Sequence, residues 1–413
     1  MKGKKILIGL FLLFLILLLL FTKTVPRSAL DYPRALTVES LALHNTFVLQ
    51  NPSYIGDMTY DGRNWYSDKT PFFSLLGSWV YRTMLFFNPQ TPPPTSPITP
   101  SISYVLITLI LSGLPYLAIC FLSIKELLKN EKLTSVDRLF FFSLLGGGSL
   151  LLPYATFFSN HVLTALLFLI LFFYLKRNTQ SIRSYLILGL TASLILSIDV
   201  ILGVILIPAT FIYLRWTRRE RRSWWFLVGA SPIFVLTVII NYAITRTVFP
   251  PSVLIKMYGA LPENMKRLDI KFDPTSRIIK NIFEAFFGWH RGGIFLKTPL
   301  LIFSWYLMIV RFWKEKLITF VMLISIIYII TMVTITNDVS GVAYGFRWTV
   351  TFVPVWILIL TYSWHTFSKK LRYVCYFSGF VSIWLTLIGV ADPYFSAGEN
   401  YTLLSLIASL FVN

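Results

Sequence analysis

Four short stretches hold residues able to do chemistry. The first is DYPRALTVE (31–39), with Asp31, Arg34 and Glu39. The second is DGRNWYSDKTP (61–71), with Asp61, Arg63, Asp68 and Lys69 beside Trp65 and Tyr66, and with Asp57 just before it. GWHRGGIFLKTP (288–299) then carries Arg291 and Lys297, and NDVSGVAYGFRW (337–348) carries Asp338, Tyr344 and Arg347. A carboxylate can accept the proton of an attacking hydroxyl, an effect typically worth about 10²–10⁴-fold in rate. Lys and Arg can hold a phosphate, Arg with two hydrogen bonds at once from its planar fork. Where a phosphate departs, negative charge builds on it, and fixed cations in a dry site stabilise that charge strongly.

Each group also has a plainer use. Pro33 suits the first turn of a helix, which puts Asp31 near a helix N-terminus, where it can be a cap or a general base. Lys69, Arg291, Lys297 and Arg347 can converge on a phosphate or snorkel to lipid headgroups. Trp65 and Tyr66 suit a membrane-interface belt. Two polar residues interrupt apolar runs. Asp199, in SIDVILG, is a functional candidate or the wet tip of a helical hairpin. His161, in SNHVL, is a site candidate or a satisfied turn residue.

The elements that must position these groups are membrane helices. The chain of 413 residues is 56% hydrophobic and 13% charged, too little polar surface for a soluble protein of this length. Eleven apolar runs are candidate spans: 6–22, 103–124, 139–157, 160–175, 184–198, 200–214, 224–245, 297–310, 317–335, 348–364 and 373–391. The expected fold class is an all-α polytopic membrane protein, read as a single integral membrane domain over 1–413. The net charge of +19 comes from basic residues gathered in short loops such as RWTRRERR (215–222). That pattern is positive-inside topology, not nucleic-acid binding. It places the N-terminus in the cytoplasm, with the first run as an uncleaved span. The outer segments are then 23–102, which holds the first two stretches, 246–296, 336–347 and 392–400. The run PFFSLLGSWVYRTMLFF (71–87) lies along the interface or dips in and returns, because a crossing there would put RWTRRERR outside. Cys120 and Cys375 sit inside apolar runs and read as small core residues.

Together the stretches resemble multi-spanning GT-C glycosyltransferases, a class that includes protein O-mannosyltransferases and aminoarabinose transferases. DYPRALTVESLALHNTF, DGRNWYSDKTPFFSLLG, PYATFFSNHVLTALLF, and the pair GIFLKTPLLIF and YGFRWTVTFVPVW carry the likeness, spread over residues 31–356. The resemblance implies a GT-C-like bundle of about eleven transmembrane helices in the plasma (inner) membrane. It implies a polyprenyl-phosphate-linked sugar donor, a lipid, glycan or protein acceptor, and direct displacement with inversion at the outer face. It gives Asp31 the role of base, or orienter of the acceptor, and puts Lys69 by the lipid phosphate. Asp57 and Asp61 are reserve candidates for the base. The sequence departs from the class where Asp31 is followed by Tyr32 in place of a second acid, and where D-K-T-P has one residue between lysine and proline. A divalent metal is an open possibility, with no tight ligand cluster visible.

A transporter or flippase of a lipid-linked sugar is the competing reading. It would place ionisable residues along the bundle at mid-membrane, often on broken helices in paired repeats. Here the charges cluster in the outer loops and no repeat is visible.

Overall fold

The computed structural model describes residues 2–26, 28, 31–50, 57–60, 63–95, 100–177, 181–218, 221–251, 275–288, 293–335 and 344–391. The protein is a multi-pass helical membrane protein. Among the described residues, six helices are long and apolar enough to cross a membrane, and three shorter apolar helices accompany them. Each candidate run in the sequence is helical, and strand is confined to one two-stranded ribbon among the described residues.

In chain order the helices are α1 (Lys2–Phe21), α2 (Tyr32–His44), α3 (Pro71–Phe87), α4 (Ile102–Lys129), α5 (Ser135–Gly147), α6 (Leu151–Ala155), α7 (Asn160–Arg177), α8 (Ile182–Ile198), α9 (Val200–Arg218) and α10 (Trp225–Thr245). Then follow α11 (Thr275–Phe287), α12 (Ile294–Lys297), α13 (Leu301–Arg311), α14 (Lys316–Ile335), α15 (Val353–Ser363) and α16 (Lys369–Ala391). The ribbon is β1 (Met58–Tyr60) and β2 (Trp65–Ser67). Three runs expected to be unbroken are interrupted. The run 139–157 splits into α5 and α6 at Gly148, the run 297–310 is broken at Thr298–Leu300, and 348–364 begins with a 3₁₀ turn, Arg347–Thr351.

Burial is inverted relative to a soluble protein. α15 is apolar all round and buried along nearly its whole length, so it forms the centre of the bundle. Outward faces are equally apolar: Ile8 and Leu12 on α1, Phe234 on α10, and Phe377, Phe380 and Trp384 on α16 are all exposed. Such a surface is stable only against lipid. In lipid, helices associate through close packing more than through the hydrophobic effect. α8 and α10 show this: a Cβ on Gly189 would meet the Phe226 carbonyl oxygen at 1.9 Å, and one on Gly229 would meet the Leu186 carbonyl oxygen at 2.3 Å.

One end of the bundle is basic. Lys176 closes α7 and pairs with Glu126 of α4, which also accepts from the Tyr362 hydroxyl at the end of α15. At the other end, α2 and α3 pack on each other over a separate apolar cluster that includes Val38, Phe72, Phe73, Tyr104, Phe158 and Ile198. Pro33 and Pro71 sit in the first turns of α2 and α3, where a missing N–H costs nothing. α7 has 18 residues, about 27 Å of helix, and so separates the two ends by roughly a bilayer core.

Candidate functional site

The site is built on the loop between α6 and α7. The Thr156 carbonyl accepts from the Lys23 N–H (2.7 Å), and the Tyr104 hydroxyl accepts from the Phe158 N–H (3.3 Å). Ser159 exchanges hydrogen bonds with the Ser112 hydroxyl (3.0 and 3.1 Å). Asn160 accepts from Arg34 at Oδ1 (2.7 Å) and donates from Nδ2 to the Ile198 carbonyl (3.0 Å). That carbonyl also accepts from the Thr70 hydroxyl (2.7 Å). Residues 156–160 thus tie α2, α4, the start of α3 and the α8–α9 tip into one frame.

Asp31 occupies the N-cap position of α2 but does not cap it with its side chain. Its carboxylate is buried and turned inward. Oδ1 accepts from the Ser28 N–H and hydroxyl, both at 2.9 Å, and Oδ2 from the Tyr104 hydroxyl at 2.5 Å. The side chain therefore does not serve as the cap, and is engaged by Ser28 and Tyr104 instead.

The second stretch folds into the ribbon, with Met58 opposite Ser67, Thr59 opposite Tyr66 and Tyr60 opposite Trp65. One step further along the register, Asp57 and Asp68 come together, and the Asp68 N–H donates to the Asp57 carbonyl (3.1 Å). Lys69 Nζ lies between their carboxylates, 2.7 Å from Asp57 and 3.0 Å from Asp68. Asp57 holds a left-handed backbone (φ 56°), a conformation Asp tolerates better than most residues. Burial raises the carboxyl pKa values of both acids. For Asp57, the cations Lys69, Arg347 and Arg34, with the hydrogen bond from Lys69, outweigh burial and hold it below the usual carboxylate range. For Asp68, burial and the facing Asp57 win over Lys69 and push it up to about 6. Trp65 packs on Tyr60 (ring centroids 4.8 Å) and on the small cluster of Tyr32, Leu36, Leu49 and Met58, so it helps hold the ribbon to α2. Tyr66 borders a shallow hollow with Thr37, Lys69 and Ser74.

Arg34 is buried, with its guanidinium 5.9 Å from the Phe73 ring centroid. Burial, and then the like charge of Arg347, lower its pKa to about 10, against the opposing pull of Asp68, Asp57 and Asp31. It remains a cation at neutral pH. Arg347 opens the 3₁₀ turn, 4.7 Å from the Trp348 ring, and among the described residues it makes no ion pair. Gly345 just before it is left-handed (φ 71°), and a Cβ there would meet Leu150 at 2.8 Å, so this turn into Arg347 needs glycine. His161 is 5% exposed, sits edge-on to Tyr154 (5.6 Å), and its Nδ1 has no hydrogen-bond partner among the described residues.

Asp31, Arg34, Asp57, Lys69, His161 and Arg347 therefore share one neighbourhood. Asp199 adjoins it between α8 and α9, the hairpin tip expected from the sequence. It accepts from the Tyr328 hydroxyl (2.6 Å) and caps α9 through the Leu202 N–H (3.1 Å). Lys297 stands one step away, 5.0 Å from the ring of Tyr344, whose hydroxyl donates to the Leu385 carbonyl. Tyr154 links the two parts by donating to the Tyr344 carbonyl (3.0 Å). Asp61, Arg291 and Asp338 lie outside the described residues. No group of three or more His, Cys, Asp or Glu among the described residues is placed to hold a metal ion. The sequence reading missed Asp68 as Asp57's partner, and missed Asn160, Tyr104 and Ser28 entirely. A ribbon signal was present for the first, the D-G pair between the strands. Ser28 lies only three residues before Asp31, a local S-x-x-D spacing, whereas for Asn160 and Tyr104 no local pattern marks a hydrogen bond to a residue far along the chain.

The chain matches no protein-family model and no curated protein. Solved structures do resemble it. ArnT from Cupriavidus metallidurans in the apo state aligns with a TM-score of 0.52 at 11% identity, covering 90% of this chain and 61% of that one. The Archaeoglobus fulgidus oligosaccharyltransferase in the apo form aligns with a TM-score of 0.47 at 13% identity, covering 95% of this chain and 55% of that one. The chain shares the fold of ArnT. The chain spans about three fifths of the length of ArnT.

Proposed function

We propose that this protein is a membrane glycosyltransferase that moves a sugar from a polyprenyl-phosphate donor to an acceptor hydroxyl at the outer membrane face. The observation that carries the proposal is the meeting of a non-capping buried carboxylate, Asp31, with the cations Arg34, Lys69 and Arg347 at the end of the bundle opposite the basic loops. The basic end faces the cytoplasm on this reading, with the N-terminus, because basic loops are retained inside. The acceptor oxygen attacks the anomeric carbon, and the carbon–oxygen bond to phosphate breaks with its electron pair leaving on the phosphate. Asp31 takes the acceptor's proton, and its hydrogen bonds from Ser28 and Tyr104 fix the angle at which it does so. Arg34, Lys69 and Arg347 stabilise the charge gathering on the departing phosphate. One direct displacement inverts the anomeric centre. The acceptor is a lipid, glycan or protein hydroxyl.

The test is donor consumption by purified protein supplied with polyprenyl-phosphate-linked sugars and a panel of hydroxyl acceptors. Wild type should release polyprenyl phosphate, and Asp31→Asn should bind donor while losing about 10²–10⁴-fold in rate. Full turnover by Asp31→Asn would remove Asp31 from the chemistry.

A further inference from the structure

His161 has no part in the chemistry above, yet one of its buried ring nitrogens has no hydrogen-bond partner among the described residues. Its ring is nine-tenths buried in the first turn of α7, and Nδ1 meets no partner among the described residues. An unmet buried nitrogen is costly, so such a group in a site points to a ligand that completes it. The charges that bear on the ring are Arg347, Arg34 and Lys69, all positive. Arg347 makes no ion pair among the described residues. Asn160, the residue before His161, is fixed to Arg34 and to the α8–α9 tip, so this turn of α7 is held against the cations. An imidazole in the field of three cations does not recruit a further cation. It can complete an anion site by donating an N–H, as the positive end of a helix also does.

We propose that His161 is a fourth donor of the anion site. Its Nδ1–H hydrogen-bonds an oxygen of the donor lipid's phosphate, while Arg34, Lys69 and Arg347 supply the charge. This rests on the glycosyltransferase reading and adds a phosphate-recognising hydrogen-bond donor to it. His161 would be a binding residue that acts in the ground state, so its loss should appear in affinity before turnover.

The experiment measures binding of a short-chain polyprenyl phosphate and of the matching polyprenol to the full chain in nanodiscs. Wild type, His161→Phe and His161→Gln are compared. Expected is a preference of wild type for the phosphate, a loss of about 10- to 100-fold for the phosphate alone in His161→Phe, and partial recovery in His161→Gln. Equal weakening of polyprenol would mark a merely structural role and overturn the proposal. A wild-type preference kept in full by His161→Phe would also overturn it and leave the function reading standing. No preference in wild type would overturn the donor-phosphate reading, and this inference with it. Should His161→Phe not fold, ¹⁵N-histidine spectra of wild type decide. The His161 Nδ1 signal should move with polyprenyl phosphate and not with polyprenol; an unmoved signal contradicts the proposal.

Discussion

Asp137 and Asp68 are both carboxylates at an end of this bundle, and their surroundings are opposite. At the basic end, Asp137 accepts from the Thr134 N–H (2.8 Å) and hydroxyl (2.7 Å), from the Tyr376 hydroxyl (2.6 Å) and from the Trp364 indole. Glu126 beside it is shared by Lys176 and Tyr362. Those acids are fully engaged, and their work is to lock α4, α5, α7, α15 and α16 together. At the opposite end, two acids share one ammonium, two guanidiniums lie within each other's field, and a buried imidazole nitrogen has no partner among the described residues. Buried polar atoms without a partner among the described residues occur elsewhere too, Arg138 Nε at the basic end among them, so the contrast between the ends is one of charge: paired and capped acids at one, converging cations at the other.

The largest effect separating the two ends should come from the cations of the site. Lys69→Ala and Arg347→Ala should each weaken binding of a polyprenyl-phosphate sugar, by about 10- to 100-fold; Arg347→Ala should do so with thermal unfolding near wild type, whereas Lys69→Ala also leaves Asp57 and Asp68 without their shared cation and should lower the melting temperature. Unchanged binding in both variants would take them out of the site. Asp137→Ala should do the reverse. It leaves the Trp364 and Tyr376 donors buried and unpaired, a loss of about 2–4 kcal/mol in stability, with turnover per folded molecule retained. A lowered rate per folded molecule with unchanged melting would break the comparison.

The smallest effect is a pH dependence. The Asp68 pKa is raised in the folded state, so the folded protein holds that proton more tightly than the unfolded chain does. Its contribution to stability is therefore full below the ordinary carboxylate value and is lost as pH rises towards about 6. Asp57 is shifted down, so its contribution has the opposite sign and is lost as pH falls below the ordinary carboxylate range. Melting followed between pH 4 and pH 7 should show Asp68→Asn gaining on wild type as pH rises. Parallel curves would mean that Asp68 is not destabilised by burial beside Asp57.

Much of this was legible in the sequence because a bilayer imposes long apolar runs and sorts basic loops to one side. The runs became helices, and Asp31, Lys69 and Arg347 fell at one end of them. The breaks within runs were harder to see. Gly148 ends α5 inside an apolar stretch, and no polar residue announces it except Ser149. The partners were hardest. Tyr104 is 73 residues from Asp31, and Asn160 is 126 from Arg34. Such pairs are made by packing, and one chain's pattern carries no record of which helix ends meet. Asp57 and Asp68 are the middle case, joined by a ribbon whose D-G turn signal the sequence did display.

The most direct test of the account is a structure of Asp31→Asn with an intact polyprenyl-phosphate sugar bound. The account predicts the phosphate among Arg34, Lys69 and Arg347, with the sugar's anomeric carbon facing residue 31. A phosphate held instead at the basic end, by Lys176 and Arg372, would contradict it.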